Sequence, residues 1–140
     1  MNSLVLDASV ALKMIFVAEK DSAMALALRE EFRNNIRGLI APDVLPAEMG
    51  HALMRAERKG AIAKGQGAAL FFNFINPCPR LFPYGDLYDR AMEIASDFRI
   101  GFCDALYVSL AEEEGCDLVT CDEKLINSLP NFPIVHLNSL

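Results

Sequence analysis

The sequence predicts an α/β fold, with a short, mainly parallel central sheet of about five strands flanked by helices. Three observations carry that prediction. Short apolar runs beginning at Leu4, Leu39, Arg80, Leu118 and Ile134 alternate with segments whose apolar residues recur at helical spacing. Leu4-Val5-Leu6 is hydrophobic on both sides, as a strand buried within a parallel sheet must be. No repeat, linker or compositional shift divides the 140 residues, so one domain spanning 1–140 is expected.

The first strand ends at Asp7. Helical spacing follows from Ser9 to Val17 and again from about Ser22 to Phe32, with Ser9 and Ser22 available as N-caps. Leu39-Ile40-Ala41 forms a second strand stopped by Pro42, and Pro46 opens a helix running to about Lys59 with Glu48 in its first turn. Gly60 stops that helix. The next, Lys64 to Asn76, is apolar nearly all round through Phe71, Phe72, Phe74 and Ile75, and so needs cover on several sides.

Arg80-Leu81-Phe82-Pro83 reads as a third strand. Leu87, Ala91, Ile94, Ala95 and Phe98 then make one stripe of an amphipathic helix, with Asp86 as its expected N-cap. A helix from Phe102 to Glu114 carries Asp104 in its first turn and stops at Gly115. Leu118-Val119-Thr120-Cys121 is a buried strand ending at Asp122, a short segment Glu123 to Leu129 follows, and Ile134-Val135-His136-Leu137 closes the sheet.

Composition narrows the class. A hydrophobic content of 53% suits a core burying roughly two-thirds of the unfolded surface. The first residues, Met-Asn-Ser-Leu-Val-Leu-Asp, carry no basic n-region and meet an acid at the seventh position, and no uncharged apolar run reaches the ~18 residues of a membrane span. A cytoplasmic protein is expected. Cys78, Cys103, Cys116 and Cys121 form no C-x-x-C pair and read as buried thiols in a reducing compartment. His51 and His136 are too few and too distant for a structural zinc cluster. A net charge of −6 is unusual for a nucleic-acid partner, unless metal offsets the acids locally.

Four acids stand out. Asp7 and Asp122 end strands, and ligands of parallel sheets lie beyond the carboxyl ends of strands. Glu48 and Asp104 open helices that are otherwise apolar, where an unpaired carboxylate costs several kcal/mol. Each taken alone also reads as a helix cap, a turn acid or a favourable charge at a helix dipole. Taken together, two strand ends and two helix starts can meet at one sheet edge, and their mutual repulsion then requires cations. Carboxylate oxygens are the donors that Mg²⁺ and Mn²⁺ prefer.

The segments Leu4-Val5-Leu6-Asp7-Ala8-Ser9, Ala41-Pro42 through Glu48, Asp104-Ala105-Leu106-Tyr107 and Leu118-Val119-Thr120-Cys121-Asp122 resemble the PIN-domain nucleases, and among them the VapC-type toxins. The resemblance spans almost the whole chain and implies a three-layer sandwich. It also implies that Asp7, Glu48, Asp104 and Asp122 are the catalytic, metal-holding quartet, with Ser9 and Thr120 as hydroxyls supporting the site. The implied activity is Mg²⁺- or Mn²⁺-dependent ribonuclease: hydrolysis of RNA by metal-activated water, in the toxin of a toxin–antitoxin pair. The implied partners are an RNA substrate, a cognate antitoxin and a second copy in a homodimer.

Other constellations are weaker. Glu48 and His51 make Glu-x-x-His, but a di-iron bundle needs that motif twice plus two more glutamates. A strand-then-acid opening also resembles aspartyl-phosphate phosphatases, which place a second acid where this chain has Ser9. Arg55, Arg58, Lys59 and Lys64, and the pair Arg29 and Arg33, could line a phosphate path or simply face solvent. Gly50, in mid-helix beside Glu48, suggests close helix packing, because glycine there costs about 1 kcal/mol relative to alanine. The reading from a different functional class is a PIN-like module that binds a protein partner without turnover.

Overall fold

Helices and strands alternate as the periodicity requires, and the computed structural model describes residues 2–16 and 22–140. Strand β1 (Asn2–Leu6) leads through helices α1 (Ala8–Ile15) and α2 (Ser22–Arg33) to β2 (Arg37–Pro42), then α3 (Leu45–Arg58), α4 (Gln66–Phe74) and β3 (Arg80–Phe82). A 3-10 turn at Tyr84–Asp86 precedes α5 (Tyr88–Phe98) and α6 (Phe102–Glu114). Strand β4 (Asp117–Thr120), α7 (Glu123–Ser128) and β5 (Ile134–His136) follow. Val17, the expected end of the first helix, lies outside the described residues. No helix among them is long and apolar enough to cross a membrane.

The five strands run in the order β3-β2-β1-β4-β5, and every pair is parallel. Parallel neighbours need crossovers, and crossovers are right-handed. From β1 the chain steps outward to β2 and β3, which puts α1 to α4 on one face. It then returns to β4 and steps the other way to β5, which puts α5 to α7 on the other face. The sheet is thus the middle of three layers, as expected.

The reversal falls between β1 and β4, which are hydrogen-bonded neighbours with Leu6 opposite Val119. Loops leaving these two strands diverge to opposite faces, so a crevice opens at their carboxyl ends. Val5, Leu6, Leu118 and Val119 have no exposed surface, the consequence of being covered on both sides. Helix α6 lies across β1, β2 and β4 with α5 against it, and every residue from Ala105 to Ala111 is buried. That enclosure explains why its sequence lacks an amphipathic stripe.

Several local expectations are corrected. Asp7, not Ser9, caps α1. Asp86 caps nothing, because it sits in the 3-10 turn and α5 starts beyond Leu87 without a side-chain cap. Cys78 and Cys103 are exposed, and Cys116 and Cys121 are partly buried; all four are free thiols. Apolar neighbours in sequence did not imply burial, because these residues sit in loops or at element ends. Helix α4 buries Phe74 but leaves Phe72 63% exposed, so its all-round apolar surface is only partly covered.

The two glycines of the α3–α4 pair differ in kind. A Cβ on Gly50 would meet nothing within 4 Å, so close packing does not explain that residue. A Cβ on Gly67 would stand 2.6 Å from Glu57 Oε2. That oxygen accepts the backbone N–H groups of Gly65 (3.2 Å) and Gly67 (2.9 Å), so a carboxylate from α3 caps the amino end of α4. Gly50→Ala is therefore expected to stabilise by about 1 kcal/mol and raise the melting temperature by a few degrees. Gly67→Ala displaces the cap and is expected to lower it by a similar amount. Thermal unfolding of the two variants reads both signs.

Candidate functional site

Asp7 follows β1 directly, and its position is set by backbone geometry. As N-cap of α1 it receives the N–H groups of Ser9 (2.7 Å) and Val10 (3.2 Å) on Oδ1, and the Ser9 hydroxyl donates to the same oxygen at 2.5 Å. Its other oxygen, Oδ2, accepts the Thr120 hydroxyl at 2.5 Å from the adjacent strand β4. The carboxylate is only 7% exposed. Burial pushes its pKa above the ordinary value, while the bonds from Ser9, Thr120 and Val10 oppose that rise.

Capping does not occupy the whole carboxylate: the cap uses Oδ1, and Oδ2 turns toward β4. Asp122 behaves similarly. It caps α7 by accepting Leu125 N–H at 3.1 Å, and its own N–H donates to Thr120 Oγ1 at 3.1 Å. Ser9 Oγ accepts Cys121 N–H at 3.1 Å. Two hydroxyls, Ser9 and Thr120, therefore stitch the strand end at Asp7 to the strand end at Asp122.

Glu48 and Asp104 come from the helices. Glu48, in the first turn of α3, accepts the Tyr107 hydroxyl at 2.6 Å. Burial raises its pKa, and Asp7 adds to the rise while the Tyr107 bond opposes it. Tyr107 lies one turn beyond Asp104 on α6, and burial with the Glu48 contact keeps its phenol protonated. Sequence reasoning gave Tyr107 no role, although its spacing from Asp104 was visible. Only the fold shows it reaching Glu48.

Asp104 registers the convergence. Its carboxyl is pushed up to about 6, first by partial burial and then by the negative fields of Asp7, Asp122 and Glu48. Among the described residues no protein donor hydrogen-bonds it. A half-buried acid repelled by three others and left without a donor fits a cation, and an all-carboxylate set fits a hard divalent ion. Spacing limits how such an ion is held. Among the described residues no three His, Cys, Asp or Glu side chains stand close enough to enclose one. Mg²⁺ commonly takes one or two carboxylates and retains its waters, which suits this arrangement.

A cleft of about 200 Å³ opens beside Asp104 and Asp122, between the α5–α6 turn and α7. A larger cavity of about 540 Å³ lies at the amino ends of the strands, near Ser3, Arg37 and Asp117. Size favours the second, but parallel sheets place their chemistry at the carboxyl ends, where the coupled acids are. The other basic candidates fall elsewhere. Arg29 holds Asn73 through its backbone oxygen (2.9 Å) and Oδ1 (2.8 Å), so it clamps the end of α4. Arg33 reaches the same Oδ1 at 3.5 Å. His51 is exposed, and His136 Nδ1 accepts Asn138 N–H at 3.0 Å on the edge strand, so neither completes an iron site.

Comparison with known proteins agrees with this architecture. The family model described as PIN domain matches residues 4–128. Ribonuclease VapC12 of Mycobacterium tuberculosis is 30% identical over 125 residues, covering 89% of this chain and 91% of that protein. Ribonuclease VapC1 of the same organism is 33% identical over 113 residues, covering 79% and 80%. Among solved structures, PAE2754 from Pyrobaculum aerophilum superposes with a TM-score of 0.73 at 20% identity, covering 99% of this chain and 91% of the other. VapBC2 from Rickettsia felis, bound to a promoter DNA fragment, gives 0.69 at 16% identity, covering 96% and 98%.

Proposed function

Because the chain belongs to the PIN-domain family, we propose that it is a single-domain, divalent-metal-dependent ribonuclease, the toxin of a toxin–antitoxin pair. The observation that carries this reading is the meeting of Asp7, Glu48, Asp104 and Asp122 at the switch point of the sheet, near enough for the other three to raise the Asp104 carboxyl. Identities of 30% and 33% to proteins named as ribonucleases support the same reaction.

In this reading the carboxylates of Asp7, Glu48, Asp104 and Asp122 would hold Mg²⁺ or Mn²⁺, one or two of them directly and the others through its retained waters. Such an ion, when bound, supplies positive charge to an RNA phosphodiester and lowers the pKa of water enough to provide a nucleophile near neutral pH. The chain's own residues fix the geometry. Ser9 and Thr120 orient Asp7, and Tyr107 orients Glu48 so that its carboxylate does not turn away. Burial shields Asp7 from water, while Glu48 and Asp104 are half-buried and Asp122 is exposed, so the field on a bound cation would be strongest on the Asp7 side. The formal charge of −6 then counts partly as site rather than surface.

Partners follow from the same reading. Solved neighbours described as VapBC2 and as a toxin–antitoxin complex from Klebsiella pneumoniae support a cognate antitoxin. Exposed Met54 and Phe72 on α3 and α4 provide apolar surface of the kind a protein partner or a second copy covers.

Purified protein is expected to cut RNA with Mg²⁺ or Mn²⁺ and to stop in EDTA. Inducible expression followed by RNA end-mapping should halt growth and leave discrete cuts, and Asp7→Asn should do neither. The wide spacing of the acids favours a second reading, a module that binds a partner without turnover. Metal binding with no cleavage of any cellular RNA would select it.

A further inference from the structure

The cleft beside Asp104 and Asp122 contains two cations whose presence the acid quartet does not explain. Arg99, at the end of α5, and Lys124, on α7, line its opposite sides. Among the described residues neither forms an ion pair, although both share the cleft with two acids. The contrast is with Arg33, Arg37 and Arg90, each of which is paired with a glutamate. Unpaired cations occur elsewhere among the described residues, Arg55, Arg58 and Lys59 included, but Arg99 and Lys124 are the two that line the cleft holding Asp104 and Asp122.

Arg99 also occupies an unusual backbone position. It ends α5 in the left-handed conformation, φ 57° and ψ 45°, with its N–H donating to Ala95 O. Glycine is the ordinary residue there, and this chain uses Gly115 for the equivalent end of α6 at φ 64°. Among the described residues the only other non-glycine with positive φ is Asn35, a residue type that tolerates it. An arginine strained at the rim of a site, where glycine would serve the helix better, points to a use for its side chain.

We infer that Arg99 and Lys124 form a subsite for an RNA phosphate adjacent to the bond that is cut. The inference rests on the ribonuclease reading and deepens it. The acids repel a polyanion, so a strand reaching them needs positive charge at the approach. Arg99 offers a planar fork suited to a phosphodiester, and Lys124 a mobile point charge from the other wall. Neither residue touches the reacting atoms in this scheme; both position the strand.

The test is equilibrium binding of a labelled single-stranded RNA across a salt series, in EDTA so that no turnover intervenes. The Arg99→Ala/Lys124→Ala double variant should bind several-fold more weakly. Its slope of log affinity against log salt should flatten by about 1.4, the loss of two phosphate contacts on a single strand. Arg58→Ala/Lys59→Ala removes the same charge from the far end of α3 and should leave the slope unchanged. Arg99→Gly relieves the backbone, so it should melt no lower than wild type and still bind more weakly, which separates binding from folding. Arg99→Lys should retain most of the affinity. An unchanged slope in the double variant, or an equal loss in the α3 control, overturns the subsite while leaving the ribonuclease reading intact. A wild-type protein that neither binds nor cuts RNA overturns both.

Discussion

Asp104→Asn is expected to abolish RNA cleavage and, in the same protein, to raise its melting temperature in EDTA at pH 7.5. The two effects have one cause. The Asp104 carboxyl is lifted from 3.8 to about 6 because burial and three neighbouring acids oppose its charge. Between those pH values the folded state holds the proton more tightly than the unfolded chain does. Stability from this group is therefore greatest below about pH 4, falls as pH rises through 6, and stays low at neutral pH. The full shift would amount to roughly 3 kcal/mol, but a group this accessible is screened, and about 1 kcal/mol is the realistic size.

Asparagine keeps the shape and removes the charge, so it should recover that stability as several degrees of melting temperature. The same change deprives the quartet of one carboxylate, and cleavage should fall by at least the ~10²-fold typical of losing one electrostatic group in a catalytic site. Melting in EDTA at pH 5 and pH 7.5 checks the first half. Wild type should melt higher at pH 5, and Asp104→Asn should be less sensitive. Undiminished cleavage by the variant would remove Asp104 from the machinery.

The elements that sequence placed best are those fixed by local rules. Helix α6 begins at Phe102 and ends before Gly115 because a glycine can adopt φ 64° where the chain must leave the helix. Strands β1 and β4 were legible because both faces of a central parallel strand are buried. The four candidate acids stood out for the same reason, since they fall at ends of elements. What stayed hidden depends on side chains meeting across the fold. Nothing near Glu57 announces that it caps a helix beginning several residues later. The bond between Tyr107 and Glu48 joins residues 59 apart, and the Arg29 clamp on Asn73 joins residues 44 apart. Thiol exposure escaped as well, because burial at loops and element ends is set by tertiary packing, and Cys78 and Cys103 have apolar neighbours yet face solvent.

Thr120→Val should test the link between the two strand ends more severely than any acid substitution. Thr120 is fully buried, and its hydroxyl both donates to Asp7 Oδ2 at 2.5 Å and accepts Asp122 N–H at 3.1 Å. Valine keeps the branched shape, so packing is preserved and only these two bonds are lost. A bond to a charged group is worth about 1.5–3 kcal/mol, and the orphaned N–H adds to the loss, so a total near 3 kcal/mol is expected. That corresponds to a fall of roughly 10 °C in melting temperature. The effect should depend on pH. The Thr120 bond favours the ionised form of Asp7, against the burial that raises its pKa. Losing it costs most where Asp7 is charged, so the deficit should grow as pH rises and shrink as acid protonates Asp7. Thr120→Ser keeps the hydroxyl and gives up only a methyl group, costing about 1 kcal/mol with little pH dependence. Cleavage should follow the hydroxyl too, falling in the valine variant and persisting in the serine variant. If valine melts as high as serine at pH 7, the Thr120 hydroxyl does not join the strands, and Asp7 must be held by its helix cap and the Ser9 hydroxyl.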